Sequence, residues 1–154
     1  MQWVPIDLYE TAKSAMQELT APAELKNVSI QLEGKKTVIQ GIPQLVSGIV
    51  FNLMDNAVKY NKDGGLVIVR LGEEKRQAVL TVTDTGIGIS PEHQERVFER
   101  FYRVDKSHSK EIGGTGLGLS IVKHAALILG AAIELDSTVG KGTIVTVRFP
   151  MEKK

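Results

Sequence analysis

Gly114, Gly116 and Gly118 alternate in "GGTGLGLSIV" and lead directly into an apolar, helix-forming segment. Glycines at that place let successive backbone N–H groups converge, and the positive end of a helix adds attraction for an anion such as phosphate. A hinge or a tight packing turn explains such a stretch about equally well when it stands alone. A dinucleotide fingerprint is a weaker rival, because a polar loop rather than a strand precedes the glycines. Asn52, Asn56 and Lys59 are spaced four and three apart, so they share one helix face, with Tyr60 at its edge. They either satisfy buried backbone groups or offer an amide oxygen to Mg²⁺, a hard cation, while the lysine meets the phosphates that the ion bridges.

Asp84 ends a strand at "TDTGIGI". Asp before Thr-Gly is an ordinary turn former, and for the motif alone that is the commoner explanation. A carboxylate at a strand end, with Gly86 and Gly88 leaving space beside it, also suits the exocyclic amine of a base, which favours adenine. Phe98 and Phe101 in "VFERFYRVD" suit the core or pin the loop that follows. Arg103 at the start of that loop is either solvated or placed to reach a phosphate as the loop closes. His93, His108 and His124 have no metal-ligand company at usable spacing, and no nucleophile is paired with a recognisable base. Readings as a hydrolase are therefore weak.

These residues need elements to hold them. The chain has 154 residues, enough for one compact domain, and carries 42% hydrophobic and 24% charged residues. A net charge of +1 removes the electrostatic case for coating nucleic acid or an anionic membrane, and the absence of cysteine excludes disulfides and thiolate chemistry. No apolar run has the length of a membrane span. A helix is expected from Asp7 with Leu8, Ala12, Ala15, Met16 and Leu19 at its spacing and Pro22 just beyond it. "VSIQLE" and "KTVIQ" read as two short strands with a turn at Gly34, and Pro43 opens a second helix whose apolar arc is Val46, Val50, Leu53, Met54 and Ala57. "LVIVRL" and "AVLTVTD" read as an antiparallel pair across the charged turn "GEEKRQ". Ser90 and Pro91 begin a short helix, residues 104 to 112 form a mobile loop, and a helix from about Leu117 to Leu129 closes at Gly130. "AIELDS" and "GTIVTVRF" make a final strand pair. Hairpin-joined strands interleaved with three main helices predict an α+β, two-layer α/β sandwich: a mixed, mostly antiparallel sheet covered on one face.

Taken together, "NLMDNAVKY", "DTGIGI", "FERFYR", "GGTGLGL" and "GKGT" resemble, in order and spacing, the N, G1, F, G2 and G3 boxes of the catalytic ATP-binding domain of two-component sensor histidine kinases. The resemblance spans nearly the whole chain, from the first helix to Phe149. It implies the fold shared with gyrase-type ATPases, mismatch-repair ATPases and a heat-shock chaperone, with ATP held between the helical layer and a mobile lid. It also implies that Asn56 ligates Mg²⁺, that Asn52 faces the nucleotide, and that Lys59 and Tyr60 contact phosphates. Asp84 would bind the adenine amine in a pocket shaped by Gly86 and Gly88. Arg103 would approach the γ-phosphate; Gly114, Thr115, Gly116, Leu117 and Gly118 would border the triphosphate. Thr143 would floor the base pocket, and Ile89, Tyr102 and Leu119 complete the expected nucleotide contacts. Asn52, Asn56 and Arg103 are the expected catalytic set.

The resemblance implies a kinase domain that passes the γ-phosphoryl group of Mg·ATP to a histidine of a separate dimerisation domain, and only indirectly to a response regulator. Hydrolysing relatives of the gyrase type carry a water-activating glutamate where this chain has Asn52, which predicts slow hydrolysis. The phosphoacceptor pattern, a His-Glu pair followed by Pro, is absent from the sequence. Residues 1–154 are thus expected to be one catalytic domain from a longer, membrane-anchored sensor, on its cytoplasmic side, binding neither nucleic acid nor membrane and unable to autophosphorylate alone. His108 stands at a lid position where relatives tend to have arginine, which leaves the lid contacts open. An anti-sigma-factor-type serine kinase, against which "FERFYR" argues, and a noncatalytic ATP-sensing module are the alternatives.

Overall fold

The computed structural model describes residues 2–94 and 118–151. Strand β1 (Val4–Asp7) leads into helix α1 (Leu8–Lys26), where the Asp7 carboxylate accepts the Tyr9 N–H at 3.0 Å and caps the first turn. Leu8, Ala12, Ala15, Leu19 and Ala23 form its buried stripe. The helix was expected to stop before Pro22, and it does not. Pro22 lies on the exposed side, where water can take the carbonyl that the ring frees, while Ala23 continues the stripe into the core. The helix ends at Asn27, whose left-handed backbone (φ 58°) turns its N–H back to the Ala23 and Glu24 carbonyls.

β2 (Ser29–Gly34) and β3 (Val38–Gly41) are both present, but Gly34 does not fold them onto each other. β2 pairs in parallel with β4 (Leu66–Glu74), Gly34 lying opposite Leu71, whereas β3 pairs antiparallel with β1. Strand β1 has no counterpart among the sequence expectations. Four residues that include a proline carry too little alternation to read, and its place in a separate two-stranded sheet tolerates Pro5. Helix α2 (Pro43–Lys59) follows, with Pro43 in its first turn, and buries Val46, Ile49, Val50, Leu53, Met54, Ala57 and Val58.

β4 and β5 (Gln77–Asp84) form an antiparallel hairpin whose tip residues Lys75 and Arg76 both have positive φ, the backbone that a two-residue turn demands. After the short helix α3 (Pro91–Gln94), helix α4 (Gly118–Leu129) ends at Gly130 (φ 72°), and β6 (Ala132–Thr138) and β7 (Gly142–Pro150) complete the sheet. The strand order is β2-β4-β5-β7-β6, and among the described residues only the β2–β4 pairing is parallel.

Alternate residues Val67, Val69 and Leu71 of β4, Ala78, Leu80 and Val82 of β5, and Val145, Val147 and Phe149 of β7 are buried in one cluster with α1, α2 and α4. That is a two-layer α+β sandwich with a mixed sheet, as the element order implied. No helix among the described residues is long and apolar enough to cross a membrane.

Candidate nucleotide site

The alternation that buries Ala78, Leu80 and Val82 sends the next even-numbered side chain, Asp84, toward the helical layer at the end of β5. Thr143 of β7 stands opposite Asp84, and Ser137 of β6 stands opposite Thr143, so one cross-strand row ends the sheet with three polar residues. One oxygen of Asp84 accepts two backbone N–H groups, Gly86 at 2.9 Å and Thr143 at 3.2 Å. Burial nevertheless dominates: desolvation pushes the carboxyl up to about 6, against the two N–H groups that favour its charged form. A carboxylate at this depth gains from any ligand that supplies a further donor.

Beyond Asp84 the chain passes between α2 and the β6–β7 turn. A Cβ on Gly86 would collide with the Tyr60 carbonyl, and one on Gly88, which has φ +74°, with the Thr138 carbonyl. The glycines of "DTGIGI" are therefore close-approach positions, where the sequence reading had them leave space for a base. Ile87 N–H donates to the Tyr60 carbonyl at 3.2 Å, and Ile89 N–H to the Ser137 hydroxyl at 2.7 Å.

Two residues that the sequence did not single out hold α2 against this loop. Asn61, 4% exposed, donates to the Leu66 carbonyl at 3.1 Å and accepts the Lys62 N–H at 2.9 Å and the Thr85 hydroxyl at 3.2 Å. The Thr85 oxygen in turn accepts the Leu66 N–H at 2.9 Å. An Asn directly after an amphipathic helix and a Thr directly after the key aspartate were the available signals, and neither is distinctive. The result is that the C-terminal end of α2 is fastened to the end of β5.

On α2 the three polar residues differ in commitment. The Asn52 amide donates to the carbonyl of Gly48 one turn earlier, at 2.7 Å, leaving its oxygen to accept. Lys59 pairs with Asp55 at 2.9 Å, a partner absent from the sequence reading, and its backbone carbonyl accepts the Lys26 ammonium at 2.7 Å. The Asn56 side chain, half-buried between them, makes no hydrogen bond among the described residues. Tyr60 is half-buried at the helix end, and Leu119 packs on the core from α4, which Gly118 opens. Tyr102, Arg103, Gly114, Thr115, Gly116 and Leu117 lie outside the described residues, as do Phe98, Phe101, His108 and the loop expected at residues 104 to 112. His124 is exposed on α4.

A two-layer sandwich with a half-desolvated aspartate at a strand end and amides on the adjoining helix defines a class, and comparison with known proteins agrees. Residues 41–153 match the family of histidine kinase-, DNA gyrase B- and HSP90-like ATPases, and the chain belongs to that family. It is 38% identical over 146 residues to the phosphate regulon sensor protein PhoR of Pseudomonas aeruginosa, covering 94% of this chain and 33% of that protein. Among solved structures it superposes on the mycobacterial sensor histidine kinase MprB with a TM-score of 0.85 at 29% identity, over 99% of both chains. Full-length ShkA in complex with AMPPNP shares the fold, with a TM-score of 0.85 at 24% identity over all of this chain and 32% of that one. The chain spans from 20% to 36% of the length of the curated relatives it matches.

Proposed function

We propose that this chain is the catalytic ATP-binding domain of a two-component sensor histidine kinase, taking the adenine at Asp84 and the triphosphate beside the polar face of α2. The observation that carries the reading is the Asp84 carboxyl. It is fixed from the sheet side by two backbone N–H groups, is raised by burial, and lies on the helix-facing side of the sheet next to Gly86. An exocyclic amine supplies the donor that such a group lacks. The family and the sensor-kinase relatives support the same reading.

Mg²⁺ fits the residues present. It dehydrates reluctantly and is commonly held by one or two protein oxygens together with water and substrate phosphates. Asn56, whose amide has no other hydrogen-bond partner among the described residues, is the residue that would hold it, with Asn52 one turn away. When bound, the ion supplies charge neutralisation on the phosphates.

The chain's own residues then position rather than react. Lys59, released from Asp55, and Tyr60 would contact phosphates, with Arg103 and the run Gly114, Thr115, Gly116, Leu117 and Gly118 completing the cradle. Ile89, Tyr102, Leu119 and Thr143 would enclose the nucleotide. The γ-phosphorus would separate from the β–γ bridging oxygen as it bonds to an imidazole nitrogen of the acceptor histidine; ADP would leave with that oxygen, and the imidazole proton would pass to solvent. Asn52 cannot take a proton from water as a carboxylate would, so transfer is favoured over hydrolysis. The acceptor histidine would reside in a separate dimerisation domain of the sensor.

The test mixes this domain with γ-labelled Mg·ATP and a purified dimerisation helix pair carrying the histidine. Acid-labile, base-stable label on the acceptor is expected. Label on serine would favour a serine kinase, and tight ATP binding without label would favour a sensing module.

A further inference from the structure

Ser137 joins the loop that follows Asp84 to the start of β7. Its hydroxyl oxygen accepts the Ile89 N–H at 2.7 Å, lies 3.1 Å from the Gly142 carbonyl, to which it donates, and lies 2.8 Å from the Thr143 hydroxyl. A serine hydroxyl has one proton. The Gly142 carbonyl can only accept, and when it takes that proton Thr143 is the donor in the contact between the two hydroxyls, whose geometry admits either direction. The Thr143 hydroxyl is then left with lone pairs alone to offer elsewhere. Thr143 is the in-register neighbour of Asp84, and its own N–H already points at the Asp84 carboxylate.

We propose that Ser137 is a specificity-determining positioning residue: it fixes the hydrogen-bond polarity of the Thr143 hydroxyl, so that both side chains in the row, Asp84 and Thr143, only accept. An all-acceptor pair suits an amino group with two N–H donors and repels a carbonyl in the same place. The purine preferred is therefore one bearing an exocyclic amine at that position, and a purine with an oxo group there is rejected by both residues. This inference rests on the reading that adenine sits at Asp84. It adds a residue on the far side of Thr143, on the edge strand β6, that need not touch the base at all.

Gln94 supplies the control. Its amide donates to the Ile89 carbonyl at 2.8 Å and to the Ser137 carbonyl at 3.1 Å. It tightens the same junction without touching either hydroxyl, so Gln94→Ala loosens the junction but leaves the polarity in place.

The experiment compares calorimetric affinities for Mg·ATP and Mg·ITP, whose base carries an oxo group in place of the amine. Wild type, Ser137→Ala, Ser137→Thr and Gln94→Ala are measured, with thermal unfolding checked in parallel. In Ser137→Ala the Thr143 hydroxyl is free to turn and donate, so the ATP-to-ITP preference should shrink about fivefold or more, roughly what one hydrogen bond is worth. Ser137→Thr should restore the preference, and Gln94→Ala should keep it even if both affinities fall. If Ser137→Ala does not fold, Ser137→Cys fills nearly the same space with a poor hydrogen-bonding group and is read the same way. An unchanged preference in the folded Ser137 variant, or an equal loss in Gln94→Ala, overturns the role of Ser137 while leaving Asp84 as the adenine reader. A wild type that binds ATP and ITP alike overturns both.

Discussion

The two ends of the candidate site are built differently. At the sheet end, Asp84 is held by backbone: the N–H groups of Gly86 and Thr143 bond its oxygen, and the loop beside it is pinned to the Tyr60 carbonyl and the Ser137 hydroxyl. On α2 the polar side chains bond within their own helix and are exchangeable: Asn52 donates to the Gly48 carbonyl. Asn56 makes no hydrogen bond among the described residues, and Lys59 has a carboxylate that it can trade for a phosphate. A base is a rigid, neutral ring that rewards a preformed pocket, because its few donors and acceptors must be met at fixed angles. A triphosphate is flexible and charged, and its recognition tolerates long side chains that move. Selectivity should therefore reside at the Asp84 end and metal dependence at the α2 end.

The sharpest way to break that division is Asp84→Asn. Losing a charged acceptor should weaken ATP binding by about 1.5–3 kcal/mol, roughly 10- to 150-fold, with the fold retained by circular dichroism. Calorimetric affinity equal to that of wild type would remove Asp84 from the site. Next in size is Asn56→Ala, which should abolish the difference between ATP titrations run with Mg²⁺ and with EDTA while leaving the ATP-to-ITP preference untouched. A wild-type difference between the two titrations would assign the metal to another residue.

The remaining test sharpens the comparison through pH. The Asp84 carboxyl is raised to about 6 in the folded chain from an ordinary 3.8, so between those values the folded state holds a proton that the unfolded state has released. Stability of the ligand-free domain should fall as pH rises from about 4 to about 6, by on the order of 2–3 kcal/mol from this group, and urea midpoints of wild type against Asp84→Asn would show it. Binding an amine at Asp84 favours the charged carboxylate and reverses the trend. ATP binding near pH 6 should then release protons, and the difference should vanish in Asp84→Asn when titrations are compared in buffers of different ionisation enthalpy.

Local pattern made much of this visible before any coordinates. The apolar arc of α2 has a clear helical period, with Pro43 at its start, and "AVLTVTD" alternates plainly enough to read as a strand that Asp84 ends. What stayed illegible was pairing. Nothing in "VSIQLE" says that it joins β4 in parallel, or that β3 turns away to meet β1, because strand partners are chosen by tertiary packing rather than by local propensity. Pro22 misled for a related reason: a proline on a solvent-facing position costs one hydrogen bond, and the continued burial of Ala23 offsets it. Ser137 was passed over as one more polar residue on an alternating strand, and only the register that sets it beside Thr143 gives it a place near the site.

The most direct test is a crystal structure of the chain with a nonhydrolysable ATP analogue and Mg²⁺. Adenine density within hydrogen-bonding distance of Asp84, with the triphosphate and its ion against Asn56, is the predicted result. A cleft that stays empty at saturating analogue, or a base seated away from Asp84, would contradict it.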